Sequence, residues 1–307
     1  MFRWKSNRHY IDWTNPTISM TRQNRVLAIH DISCFGKCSL TVALPIISAT
    51  GAECAVIPTA VLSTHTGGFT GFTYRDLTED ITSIVDHWKT LDLGFDAIYT
   101  GFLGSFEQID IISETFDRLE GLRIVDPVMA DDGVLYPVFD SNFPKGMRKL
   151  CEKADIILPN ITEACLMLGE EYVDGPYTPE YIEGLMERLS GIGAKKVVLT
   201  GVYFDENKLG AATYDAETGE RSYYFSDRVP GYFHGTGDVF GSAFVGSYMN
   251  GCSLADSVRI AVDFTVGSIK RTYAAKTDVR YGVNFEQGLL QLIKDISEKN
   301  ESTSDSE

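Results

Sequence analysis

The chain has 307 residues, enough for one large α/β domain or two ordinary ones, and its 44% apolar and 23% charged content suits a globular protein with a sizeable core. A formal net charge of −16 speaks against nucleic acid or an anionic membrane surface as partner, since both need basic patches. A nucleotide stays open, because a few local donors and a metal ion can outweigh the global field.

No apolar run approaches the roughly 20 residues of a membrane span. Residues 1–25 lack the apolar stretch of a secretory signal. Residues 1–24 are polar and aperiodic, with Trp4, Tyr10 and Trp13 loosely spaced, and read as an extension outside the fold; Met20 is a second candidate start. Residues 25–30 (RVLAIH) form a short buried strand, followed by a loop with Gly36 and a helical pattern over 37–50. A second strand covers 53–58. The segment 61–74 is rich in Gly, Thr and Ser and carries His65. An amphipathic helix follows over 75–91, then a strand at 96–100 and a helix at 105–119. The strand at 122–125 is stopped by Asp126-Pro127.

The alternation continues with a helix over 143–153, a strand over 155–158 and helices over 162–168 and 179–191. A strand at 195–199 ends in Thr200-Gly201. The rhythm then changes, and two alternating stretches near residues 210–225 read as a short antiparallel strand pair. Helices over 236–250, 254–273 and 286–299 close the fold, and residues 300–307 form an acidic tail. Strand–helix alternation over some 200 residues implies a three-layer α/β domain, a mostly parallel sheet with helices on both faces, as one unit over 25–299. Six cysteines scattered through core segments read as buried free thiols of a reducing, cytoplasmic compartment. Cys34 and Cys38 lack a second pair at zinc spacing, so no zinc site is expected.

Ligands of such sheets bind outside the carboxyl ends of the strands. Those ends carry His30-Asp31, Thr100-Gly101-Phe102, Asp126-Pro127, Pro159-Asn160 and Thr200-Gly201. The chain has neither a Gly-x-x-x-x-Gly-Lys-Ser/Thr loop nor a Gly-x-Gly-x-x-Gly fingerprint after its first strand. Phosphate recognition therefore falls to Gly235-Thr236-Gly237-Asp238, where two glycines open a long helix. Such a junction aims backbone N–H groups and the helix dipole at one anion.

Six motifs in order carry a family resemblance: VLAIHDISCFGKCSL (26–40), STHTGGF (63–69), YTGFLGS (99–105), VDPVMADDG (125–133), LPNITEA (158–164) and GTGDVF (235–240). Together they resemble the ribokinase superfamily, and within it the branch of pyridoxal/pyridoxamine kinases and hydroxymethylpyrimidine kinases. The likeness spans residues 26–293, and the second and third motifs lean towards pyridoxal kinase. It implies a ribokinase-like fold, a homodimer, and transfer of the ATP γ-phosphoryl group to the primary hydroxyl of a flat heteroaromatic vitamin. Mg²⁺ is the implied metal, and a monovalent cation a further candidate. Asp238 is then the general base, with the N–H groups of Gly235, Thr236 and Gly237 as an anion hole. Asp126, Asp131 and Glu163 are the implied metal-side acids, with Asp132 a further candidate. Asp126, Asn160, Glu163, Thr200 and Gly201 border ATP. Asp31, His65, Thr66 and Phe102 border the vitamin.

The sequence departs from the pyridoxal kinases where Asp31 replaces a common serine and a Gly-x-x-Gly-Asn-like loop is reduced to Gly36-Lys37-Cys38-Ser39. An acid at 31 suits a ring N–H or a substrate amine. Plainer readings stand beside these: a helix-start acid for Asp238 and Glu163, an acidic turn for Asp131-Asp132-Gly133, a structural histidine for His65, a core aromatic for Phe102. The competing functions are a hydroxymethylpyrimidine kinase and a catalytically silent binder on the same fold. Residues 128–139, with their glycine and paired acids, are the candidate lid.

Overall fold

The computed structural model describes residues 22–304. Most of the expected extension at 1–24, the alternative start at Met20 and the last three residues of the acidic tail lie outside the described residues. Arg22, at the inner end of the extension, pairs with Asp96 at 2.6 Å.

The chain begins with β1 (Arg25–Ser33), α1 (Leu40–Ala49), β2 (Glu53–Leu62), β3 (Tyr74–Asp76), α2 (Thr78–Thr90), β4 (Ala97–Thr100), α3 (Phe106–Arg118) and β5 (Leu122–Val125). A small hairpin, β6 (Ala130–Asp131) with β7 (Val134–Leu135), precedes α4 (Phe143–Cys151), β8 (Ile156–Ile157), α5 (Ile161–Leu168) and α6 (Pro179–Ser190). Then come β9 (Lys196–Val202), β10 (Lys208–Asp215), β11 (Arg221–Asp227), α7 (Thr236–Met249), α8 (Leu254–Ala275), two single 3₁₀ turns and α9 (Leu289–Ser304). One nine-stranded sheet has the order β11-β10-β9-β8-β5-β4-β1-β2-β3. Its middle, from β9 to β2, is parallel, and the additions at both edges are antiparallel.

Alternation along β1 shows why its run is uniformly apolar. Leu27 and Ile29 join the core shared with α2 to α6, while Val26 and Ala28 join the core under α1, α7, α8 and α9. A strand covered on both faces buries both sets of side chains, and all four are fully buried. Helix starts follow local chemistry: Ser105 accepts from the Gln108 N–H at 3.2 Å, a cap that contributes about 1 kcal/mol.

The structure corrects several element boundaries. The helix expected over 37–50 begins at Leu40, because Lys37 and Ser39 take φ of 45° and 57° and cannot continue a helix. Residues 74–76 pair with 60–62 as an antiparallel edge strand, so the helix expected from 75 starts at Thr78. β9 runs through Thr200-Gly201 to Val202, and the antiparallel pair is longer than expected and continues the main sheet through β9. Residues 286–288 are a 3₁₀ turn ahead of α9, which continues to Ser304 through the start of the expected tail. Segment 128–139 contains the β6–β7 hairpin. Of the six free thiols, Cys34 is exposed and Cys54 partly so, against the expectation of burial. Among the described residues no helix is long and apolar enough to cross a membrane.

Candidate active site

The carboxyl ends of the parallel strands open onto a cavity of about 780 Å³, and every site residue expected from sequence lines it. β1 delivers Asp31, the turn after β4 delivers Phe102, β5 delivers Asp126, β8 delivers Asn160, and β9 delivers Thr200 and Gly201. The start of α7 supplies Gly235 to Asp238.

Gly235 caps α7 with φ of 76°, and a Cβ there would lie 2.3 Å from the Lys37 carbonyl oxygen. Only glycine meets both demands. The helix has no side-chain cap, and the N–H groups of Thr236, Gly237 and Asp238 have no acceptor among the described residues. Around the missing Cβ of Gly237 the space is open for 4 Å. Three unspent donors, a dipole and free space make an anion cradle. Asp238 follows directly. Burial pushes its carboxyl up to about 7, against the pull of the Ser39 backbone N–H, and the Asp31 charge adds to the rise. A carboxylate poised there accepts a proton readily near neutral pH.

The three acids expected on the metal side prove unequal. Asp126 is buried and no described residue donates a hydrogen bond to its carboxylate; burial, Glu163 and Asp238 all raise its proton affinity. Glu163 accepts from the N–H groups of Met129 at 3.0 Å and Asn160 at 2.9 Å, while Asn160 accepts from the Glu163 N–H at 2.9 Å. This capping box starts α5 and anchors the loop before β6, so the plain helix-acid reading of Glu163 holds as well. Burial still pushes Glu163 up to about 8. Asn160 also donates to the Ala130 carbonyl at 2.8 Å. Asp131 accepts from the Tyr232 hydroxyl at 2.9 Å, and Asp132 is exposed at the hairpin turn.

Among the described residues no three His, Cys, Asp or Glu side chains are arranged to hold a metal by themselves. Yet the lining has Asp31, Asp126, Asp131, Asp132, Glu163, Asp174, Asp227 and Asp238 against Arg228 as its one arginine or lysine. A polyphosphate cannot enter such a wall uncompensated. Dispersed carboxylates that leave most positions to water and phosphate are the donor set Mg²⁺ favours, so the residues fit that ion.

At the opposite end Asp31 is 4% exposed and accepts from Ser33 at 2.9 Å and Ser39 at 2.5 Å. Both ring nitrogens of His65 are spent on backbone: Nε2 donates to the Arg280 carbonyl at 2.6 Å, and Nδ1 accepts from the Gly67 N–H at 3.1 Å. These partners assign the tautomer. The substrate hydrogen bond expected of His65 thus has no free nitrogen, and the structural-histidine reading describes it. Thr66 is exposed at the lip, and Phe102 faces Phe139 at 5.5 Å.

The sequence reading missed His234, whose ring lies 5.2 Å from His65. A Cβ on Gly67 would meet its Nδ1 at 2.6 Å, so the glycines of STHTGGF make room for it. Its signal was position, one residue before the anion cradle. Ser33, Ser39, Tyr136 and Tyr232 were missed too.

A family model described as phosphomethylpyrimidine kinase matches residues 43–283. The hydroxymethylpyrimidine/phosphomethylpyrimidine kinase of Mycobacterium tuberculosis is 25% identical over 257 residues, covering 81% of this chain and 89% of that protein. The crystal structure of pyridoxal kinase from Lactobacillus plantarum matches with a TM-score of 0.82 and 32% identity, covering 89% of this chain and 98% of the other. A Bacteroides thetaiotaomicron protein provisionally assigned as a phosphomethylpyrimidine kinase, crystallised with pyridoxal, matches with a TM-score of 0.84 and 38% identity over 88% and 96%. With the parallel sheet, the cavity at its strand ends and the glycine-framed helix start already in place, these matches make the chain a ribokinase-like member of the phosphomethylpyrimidine kinase family, the kinases of vitamin B6 and of the thiamine precursor.

Proposed function

We propose that the protein transfers the γ-phosphoryl group of ATP to the hydroxymethyl group of a B6 vitamer: pyridoxal, pyridoxamine or pyridoxine. The observation that carries this reading is Asp238 beside three unpaired N–H groups at the start of α7, inside one cavity with Asp31 and Phe102. The likeness to the Lactobacillus enzyme and to the pyridoxal-bound Bacteroides protein favours B6.

In this reading the substrate hydroxymethyl group hydrogen-bonds the Asp238 carboxylate. Asp238 orients the oxygen and takes its proton as the bond to phosphorus forms and the bridging bond to ADP breaks. The N–H groups of Thr236, Gly237 and Asp238 receive the charge on the transferring oxygens, in a site where burial strengthens each such bond. Asp126 would hold Mg²⁺, with Asp131 and the Glu163–Asn160 unit ordering its surroundings. The bound ion supplies neutralisation of phosphate charge. Thr200 and Gly201 border the nucleotide.

Hydroxymethylpyrimidine is the second reading, favoured by the family model and the mycobacterial relative; it uses the same base and cradle on a similar ring alcohol. The test is parallel assay of the three vitamers and hydroxymethylpyrimidine with ATP and Mg²⁺. A higher kcat/KM for a vitamer supports the proposal, preference for the pyrimidine replaces it with the second reading, and inactivity on all four overturns both in favour of a silent binder.

A further inference from the structure

His30 and Tyr99 stand on the adjacent parallel strands β1 and β4, close to the cavity but not among the residues that line it. Both are fully buried, and their rings meet edge to face at 4.6 Å. The Tyr99 hydroxyl and both ring nitrogens of His30 have no hydrogen-bond partner among the described residues. A buried polar atom left unpaired is costly, and phenylalanine would fill the place of Tyr99 without that cost. What the oxygen of Tyr99 contributes is its position.

That position is against α7. A Cβ on Gly241 would lie 2.3 Å from the Tyr99 oxygen, so the helix comes this close to β4 only because residue 241 is glycine. Gly241 lies one turn beyond Asp238 on the same helix. Tyr99 has little freedom to give way, because its ring abuts His30. The imidazole of His30 is in turn seated against the backbone of Gly101, where a Cβ would meet its Nδ1 at 2.1 Å. Burial pushes His30 down to about 3, so the ring stays neutral. Asp31 follows His30 and Phe102 follows Gly101. The row Gly241, Tyr99, His30, Gly101 thus runs from the helix that carries Asp238 to the strand ends that carry the acceptor's neighbours.

We propose that Tyr99 is a positioning residue: backed by His30, its hydroxyl is a spacer that sets the height of α7 above the sheet, and with it the distance of Asp238 from the acceptor alcohol. The proposal rests on the reading of Asp238 as the base. An error of about 1 Å in that distance is costly for a transfer that needs in-line geometry.

The test is a cycle of Gly241→Ala, Tyr99→Phe and the double variant. Gly241→Ala forces the helix outward and should lower kcat by about tenfold or more, with the KM for ATP and for the alcohol changed by less than about threefold, since none of the altered atoms lines the cavity. Tyr99→Phe creates no clash, shortens the spacer and should lower kcat by about threefold or more. In the double variant the new methyl group takes up the space of the lost oxygen, with the nearest ring atom 3.1 Å away, so kcat should return close to the parental value. Parental kcat in either single variant, or a double variant no faster than Gly241→Ala, overturns the proposal and leaves the kinase reading intact. Crystal structures of the same proteins need no turnover. Asp238 should stand displaced by on the order of 0.5–1 Å in Gly241→Ala and return to its place in the double variant. An unmoved Asp238 in Gly241→Ala overturns the proposal even if all four alcohols prove inert.

Discussion

Replacing Asp238 by asparagine should cut turnover sharply and raise stability, in a pH-dependent way that exposes the cost of keeping a carboxylate at this helix start. Burial holds the carboxyl at about 7, well above the ordinary carboxylate range, which corresponds to at most about 4 kcal/mol between its charged and neutral forms. Water entering the cavity screens this, leaving about 1–2 kcal/mol as the working figure. The sign follows from linkage. A carboxyl whose folded value is raised binds its proton more tightly in the folded state. Its contribution is fully favourable below about pH 4 and is lost as pH rises through about 7. Asparagine never ionises, so its advantage is absent at pH 4 and complete by about pH 8.5, where the variant should melt roughly 2–5 °C above the parent. Turnover should fall by about 10²–10⁴-fold, and parental kcat/KM should rise with pH through about 7. Thermal melts at three pH values and steady-state kinetics check both halves. Unchanged turnover would remove Asp238 as base, and a variant melting below the parent at pH 8.5 would refute the electrostatic argument.

Gly67→Ala puts a Cβ 2.6 Å from His234 Nδ1, so the loop or the imidazole must move; the KM for the vitamin should rise by about tenfold with that for ATP little changed, as initial-rate kinetics with each substrate varied will show. Asp126→Asn removes a buried carboxylate to which no described residue donates, so the half-saturating Mg²⁺ should rise by about 10–100-fold while the melting temperature at neutral pH increases, read by metal titration and thermal melts.

The polar residues at strand ends were legible because the sheet is parallel, and parallel sheets present one edge to ligands. Gly235 and Gly237 were legible because no other phosphate loop is present in the sequence, which left that helix start as the anion site. Contacts between distant parts of the chain were not. His65 reads as a ligand until Arg280, 215 positions later, is seen to take its Nε2 proton. Glu163 shows its acid in sequence, but not that both oxygens are spent on the N–H groups of Met129 and Asn160. The three-residue strand β3 is too short to show a period and exists because β2 offers it an edge.

The bond from His65 to Arg280 also bears on how the enzyme is made. Lys37, in the loop after β1, likewise reaches forward, to Asn284 and Glu286 at 3.1 Å each. The loops behind His65 are thus tied together from the first and last parts of the described chain. A polypeptide still on the ribosome lacks the Arg280 carbonyl that anchors the loop around His65 until its last residues are made. On the proposed function, a chain cut short before residue 280 loses that anchor and should bind the acceptor alcohol more weakly than the full chain in a titration of each.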